Sequence, residues 1–370
     1  MYDQIREDTL YIMLYAVVTT TAMLASCYLL FRQGNAFAKD VTPPICLRRW
    51  TAAFFAVFVV NHLWYLGPTF FLTSDDDVKL TNMIGILLDS MTFFPLSIII
   101  LLVMLQDRRR PLWPVAVMVA PLIIGMVWCI ASRSKTLFPV LMVYLLLMSI
   151  GLIIYMVCAL RQYSRWLRDN YADLEHKEVW QSFVVLTIIL LVFAIYVLTD
   201  GDLTYEYILQ VAVIVLICYL LWRVETLSDL SLLHPQSLPT DETTTEEMED
   251  NSLSPTIRDN IEALLQQHCI DTQLYLQHDL TVSQLAQAIG INRLYLSQYF
   301  SRQGISYNAY INDLRINHFV SLYREAVAAQ RHFTAQQLAH DSGYQSYSTF
   351  SLAFKQRMGQ SVTVWMRSAD

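Results

Sequence analysis

The chain has 370 residues, 55% of them hydrophobic and only 15% charged, with a formal net charge of −7. That length allows one to three domains, and the balance is too apolar for an ordinary soluble globular chain. The charge is also partitioned: residues 1–224 carry 16 Lys/Arg against 16 Asp/Glu, residues 225–250 carry eight acids and no base, and residues 251–370 carry nine bases against eight acids.

Met1–Asp8 is polar and mixed in charge, and the apolar run behind it is too long for a signal core, so no cleavable leader is expected. A helix needs about 20 apolar residues to cross a bilayer. Seven segments qualify: Leu10–Phe31, Thr51–Leu72, Leu80–Leu105, Leu112–Ile130, Leu137–Leu160, Val179–Leu198 and Leu203–Trp222. Trp50, Trp113, Trp128, Trp180 and Trp222 lie at their edges, where amphipathic rings favour the headgroup level.

Basic residues alternate between the loops. Arg32, Lys39, Arg48, Arg49, Arg108, Arg109, Arg110, Arg161, Arg165, Arg168, Lys177 and Arg223 fall on one side. Arg6, Lys79, Arg133 and Lys135 fall on the other, with the acidic run Asp75-Asp76-Asp77. Positive charge resists translocation, so the first side is expected to be cytoplasmic, the N-terminus outside and the C-terminus inside. Polar groups within the spans are few: Asn61 and His62 lie in the second, Asn82 and Asp89 in the third, and Glu206 near the outer end of the seventh. His62 and Asp89 are the candidates for a ligand pocket or a proton-linked switch, against an ordinary helix-packing role. The charged run Glu175-His176-Lys177 reads as a solvated loop.

No catalytic motif is present: there is no His-Glu-x-x-His, no Gly-x-Ser-x-Gly and no phosphate loop. The six cysteines are scattered without metal-ligand or disulfide spacing, so no metal and no cofactor is expected. Residues 225–255 read as an acidic flexible linker, with Ser228–Pro255 rich in Ser, Thr, Pro and acids. As a coil, that stretch spans roughly 25–35 Å.

Residues 256–370 read as all helix. Thr256–Cys269 is amphipathic, and Thr281-x-x-Gln284 forms a capping box. Leu285, Ala286 and Ile289 form a buried stripe, Gly290 sits where a tight turn needs positive φ, and Asn292 caps a helix Arg293–Gln303 with Leu296, Tyr299 and Phe300 inward. This is a helix-turn-helix pattern. After a long helix, Tyr307–Tyr323, it returns: Leu338, Ala339 and Gly343 repeat Leu285, Ala286 and Gly290 with an offset of 53, and a second reading helix is expected over Ser346–Met358.

Residues 274–367 therefore resemble the DNA-binding domain of the AraC/XylS family of transcription regulators. The resemblance rests on the segment Leu280–Ser297, on Tyr310-Ile-Asn-Asp-Leu-Arg-Ile316 and on Gly343–Phe350 followed by Phe354-Lys355 and Gly359. It implies two helix-turn-helix units that read successive major-groove faces. The apolar half does not match the family's usual soluble sensor and is more loosely similar to multi-span sensors fused to such domains. Gln298, Leu352 and Val362 depart from residues common in the family (Arg, Arg and Pro). Base readout is expected from Asn292, Arg293, Tyr295 and Gln298 in the first unit and from Gln345, Ser346, Tyr347 and Thr349 in the second, with Arg302 and Lys355 on phosphates. Few cations predict weak monomer binding and hence a homodimer.

The expected fold is thus all-α: a seven-helix transmembrane bundle (1–224), the linker (225–255) and a cytoplasmic tandem helix-turn-helix domain (256–370). The expected protein is not an enzyme but a regulator in the bacterial inner membrane. Its partners would be the lipid bilayer, promoter DNA, RNA polymerase and an unidentified small-molecule or envelope signal. The rival is a membrane receptor whose degenerate helix-turn-helix domain binds protein, suggested by Gln298 and Leu352. A transporter with a regulatory tail is disfavoured by the scarcity of polar groups in the spans.

Overall fold

The computed structural model describes residues 7–32, 35–38, 41–71, 74–108, 110–133, 136–185, 187–188, 203–230 and 255–369. The chain divides into two compact units. One comprises Met1–Arg161 with Val179–Pro239, the other Gln162–Glu178 with Thr240–Asp370. No β-strand occurs among the described residues; a single antiparallel bridge joins Tyr171 and Thr281.

The first unit contains α1 (Thr9–Phe31), α2 (Ile45–Trp64), the short α3 (Leu66–Phe70), α4 (Asp75–Met104), α5 (Trp113–Ser132), most of α6 (Phe138–Asn170) and α7 (Leu203–Thr226). Six helical stretches are long and apolar enough to cross a membrane: Thr9–Phe31, Ile45–Pro68, Asp76–Met104, Trp113–Ser132, Phe138–Asn170 and Leu203–Thr226. The expected span Val179–Leu198 falls largely outside the described residues. Apolar side chains cover the outward faces as well. Val140, Leu146, Leu147 and Ile154 of α6 are all exposed, a pattern that suits lipid and not water.

Small residues set the packing of α1 on α2. Val18, Ala22, Ala25, Ser26 and Leu29 recur at helical spacing and are buried, and Ser26 Oγ donates to the Ala52 carbonyl at 2.8 Å. Close approach of backbones is how helices associate where lipid removes the hydrophobic drive. The break between α2 and α3 precedes Pro68, whose nitrogen carries no hydrogen for the Trp64 carbonyl. At one end of the bundle Arg48 pairs with the fully buried Glu225 at 3.4 Å, and Tyr28 Oη donates to the same carboxylate at 3.3 Å.

The second unit contains α8 (Pro255–Leu265), a π-turn (Gln266–Ile270), a 3-10 turn (Leu274–Leu276), α9 (Val282–Ile289), α10 (Arg293–Arg302), α11 (Tyr307–Ala328), α12 (Ala335–Asp341), α13 (Tyr347–Met358) and α14 (Val362–Ala369). It has two hydrophobic cores. Leu285, Ala286, Ile289, Leu296, Phe300, Tyr307 and Ile311 belong to the first. Ile316, Phe319, Tyr323, Leu338, Phe350, Phe354 and Trp365 belong to the second. Helix α11 serves both, its first half in one core and its second half in the other. The chain from Gln162 to Glu178 is part of this unit, and Ala172 is buried in the first core.

Candidate nucleic-acid interface

The first helix pair, α9 and α10, is fixed by local chemistry. Thr281 caps α9 through a complete capping box: its hydroxyl accepts from the Gln284 backbone, and the Gln284 side chain accepts from the Thr281 backbone. Gly290 ends α9 at φ 73°, in the left-handed region, and the Ile291 N–H returns to the Ala286 carbonyl at 3.0 Å. Asn292 then caps α10 by accepting from the Leu294 N–H at 2.9 Å. Leu296, Tyr299 and Phe300 point inward, leaving the opposite face of α10 outward.

The second pair, α12 and α13, repeats these devices. Thr334 and Gln337 form another capping box, Gly343 has φ 92°, and Ser346 caps α13 by accepting from the Thr349 N–H at 3.3 Å. Gly343 has a further reason to be glycine: an added Cβ would lie 2.8 Å from Leu276 Cα. The caps Asn292 and Ser346 are offset by 54 residues, not the 53 that relates the first helices, so the second turn carries one extra residue. Aligned on their caps, Arg293 matches Tyr347, Tyr295 matches Thr349 and Gln298 matches Leu352.

Asn292, Tyr295, Arg302, Gln345, Tyr347 and Lys355 are exposed, whereas Arg293, Gln298, Ser346 and Thr349 are half-buried. The first turns of α10 and α13 thus gather the cap, first and third positions of the second helix in each pair. Arg302 lies on the last turn of α10, and Lys355 and Arg357 on that of α13. Arg357 is paired with Asp313.

Arg315, between the two cores on α11, is fully buried and fully engaged. Its Nε donates to the Tyr275 carbonyl at 2.8 Å, its Nη2 to the Gln277 carbonyl at 2.8 Å, and its Nη1 to the Asp173 carboxylate at 3.1 and 3.2 Å. The guanidinium also stands over the Tyr344 ring at 5.5 Å. Asp173 in turn accepts from the Asp279 N–H at 3.1 Å. Nearby, burial pushes the Tyr171 hydroxyl up to about 12, opposed by the positive charge of Arg293, and burial holds the Tyr307 hydroxyl well above its ordinary value.

The sequence reading missed this network. Arg315 sits four residues from Ile311 and four from Phe319, both buried, so a cation lies on the apolar stripe of α11. That stripe was the one available signal that a buried acid must exist elsewhere. The solvated-loop expectation for Glu175-His176-Lys177 also needs correction. His176 is exposed, but Lys177 is buried, its ammonium 2.7 Å from Asp279 and over the Tyr171 ring at 5.6 Å.

In the first unit, His62 is held on both sides. Thr19 Oγ1 lies 2.9 Å from its Nδ1, and Gln210 Nε2 lies 3.2 Å from its Nε2. Asp89 accepts from Asn61 Nδ2 at 3.0 Å and from Tyr65 Oη at 2.6 Å. Among the described residues no hydrogen bond or ion pair joins His62 to Asp89; each has its own set of neutral partners.

A family model described as a helix-turn-helix domain matches residues 285–368. The match takes in α10 to α13 and most of α9 and α14, so this part of the chain is a helix-turn-helix domain. No curated protein matches the chain, and no solved structure does.

Proposed function

We propose that the protein is a one-component transcription regulator of AraC type, anchored in the bacterial inner membrane, that senses a signal through residues 1–224 and binds promoter DNA through residues 256–370, with 225–255 as tether. The observation that carries this reading is the duplicate arrangement of capped helices. Each helix-turn-helix unit has a second helix whose N-terminal turn carries polar side chains, and the N-terminal residues of such a helix are the ones that contact base edges in the major groove. The same chain carries six helices apolar enough to span a bilayer, and a regulator joined to such helices acts from the membrane surface. The basic side of the bundle then faces the cytoplasm, where the DNA is.

In this reading Asn292, Arg293, Tyr295 and Gln298 contact bases in one groove segment, Gln345, Ser346, Tyr347 and Thr349 in the next, and Arg302 and Lys355 hold phosphates. The few cations favour a homodimer on paired half-sites, with RNA polymerase as a further partner once DNA is bound. His62 and Asp89 are where an envelope or small-molecule signal would act. The test is selection of genomic fragments by the full chain in lipid nanodiscs. Recovery of a shared sequence motif supports the reading, and recovery of no motif sinks it.

One observation favours a protein partner instead: Leu294 and Leu352, both 61% exposed, put apolar surface on the two reading helices. Arg302→Gln with Lys355→Gln separates the readings. Loss of fragment binding supports DNA, whereas an unchanged cellular response supports a protein partner.

A further inference from the structure

Residues Asn170–Glu178 lie far from the helix-turn-helix elements in sequence, yet they are built into the same unit by an anchor and a rim. The anchor centres on the buried pair of Asp173 with Arg315; around it the Ala172 N–H donates to the Leu280 carbonyl at 3.0 Å, Asn308 Nδ2 donates to the Tyr171 and Ala172 carbonyls, and Lys177 pairs with the half-buried Asp279. The rim consists of two hydrogen bonds to α10 and α13. Arg293 Nη2 donates to Asn170 Oδ1, and Thr349 Oγ1 donates to Glu175 Oε2 at 3.0 Å.

The rim contacts fall on special positions. Arg293 is the first residue of α10 and Thr349 the third of α13, one reading position in each helix-turn-helix unit. Residues 281–312 and 342–369 contain no acid, whereas residues 162–178 bring Asp169, Asp173, Glu175 and Glu178 together with Arg165, Arg168 and Lys177, so the complementarity is local to Glu175 at Thr349. Glu175 offers the Thr349 hydroxyl a carboxylate oxygen where an acceptor on a base edge would otherwise be received.

We infer that Asn170–Glu178 is a built-in competitor of DNA: a segment of the same chain that occupies one reading position in each unit and must leave both before the two helices enter the groove. The inference rests on the DNA-binding reading. It gives a single short segment control of both units, because the segment bridges them. It also separates what must stay from what must move. The Asp173–Arg315 anchor stays, and Asn170 and Glu175 let go.

The test uses the full chain in nanodiscs and the genomic fragments that it selects, with Asn170→Ala, Glu175→Gln and the double variant. If the closed form is populated to about 90%, opening it tightens the apparent affinity about tenfold. Asn170→Ala changes no charge, so a gain there is not a general electrostatic increment. Both substitutions spare the anchor, and an unchanged proteolytic pattern of the second unit verifies that the fold is kept. Tighter binding by Asn170→Ala and by the double variant supports the inference. Equal affinities overturn it and leave DNA binding standing, as does weaker binding, which would make the segment a support of the reading helices. Binding by none of the forms overturns the DNA-binding reading and this inference with it.

Discussion

Arg315 shows how much of the second unit depends on single side chains. A guanidinium with no exposure is tolerable only because two carbonyls and one carboxylate take its hydrogen bonds. Asp173→Ala leaves that charge buried and unpaired, and is expected to destabilise the unit by about 3–5 kcal/mol, read by pulse proteolysis of the full chain. Adding Arg315→Met removes the stranded charge and should restore most of the loss. A double variant no more stable than Asp173→Ala alone would contradict this pairing. Glycine gives a second contrast at this scale. Gly290 has open space where a Cβ would go, so Gly290→Ala should cost only the left-handed backbone term, about 1–2 kcal/mol. Gly343→Ala adds a collision with the Leu276 backbone and should cost clearly more in the same assay.

At the scale of helices, the tandem helix-turn-helix was legible because its signals are local. Thr281 and Gln284, Gly290 and Asn292 each act within a few residues, and the structure places all of them in their expected roles. Helices α10 and α13 lie within a residue or two of their expected limits. The extra residue in the second turn was not legible, because the first helices and their turn glycines repeat at an offset of 53 whereas the cap at Ser346 lies one place further on. Nor was the place of Tyr171–Lys177, whose partners are as far as 174 residues away in sequence. No periodicity or cap marks a segment held to the second unit by long-range contacts. The cap alignment makes a prediction about affinity. Leu352 occupies the place of Gln298 and is exposed, so Leu352→Arg adds a cation to the outward face of α13. Binding should tighten, and the slope of log affinity against log salt should steepen by about one. Lys355→Gln should flatten it by about one, uniformly over sequences. Salt slopes unmoved by either substitution would mean that this face does not meet phosphate.

At the scale of the whole chain, the two units are not two consecutive stretches of sequence. Gln162–Glu178, between helices of the first unit, supplies Ala172 and Asp173 to the interior of the second. A fragment limited to 251–370 lacks both, so it should exchange its amide hydrogens faster around α11 than the full chain does. Adding a peptide of residues 162–178 should slow that exchange, and a fragment already as protected as the full chain would contradict the assignment. The apolar helices were legible from composition alone, since length and hydropathy suffice to mark a span. The polar sets around His62 and Asp89 were only partly so, because Thr19, Gln210 and Tyr65 carry no motif that announces their partners. The central claim joins membrane and DNA in one molecule, and chromosomal occupancy of the full-length protein, recovered from the membrane fraction after cross-linking, tests it most directly. The account predicts discrete occupied sites that share a sequence motif and vanish with Arg302→Gln and Lys355→Gln; a membrane-recovered protein with no enriched site would contradict it.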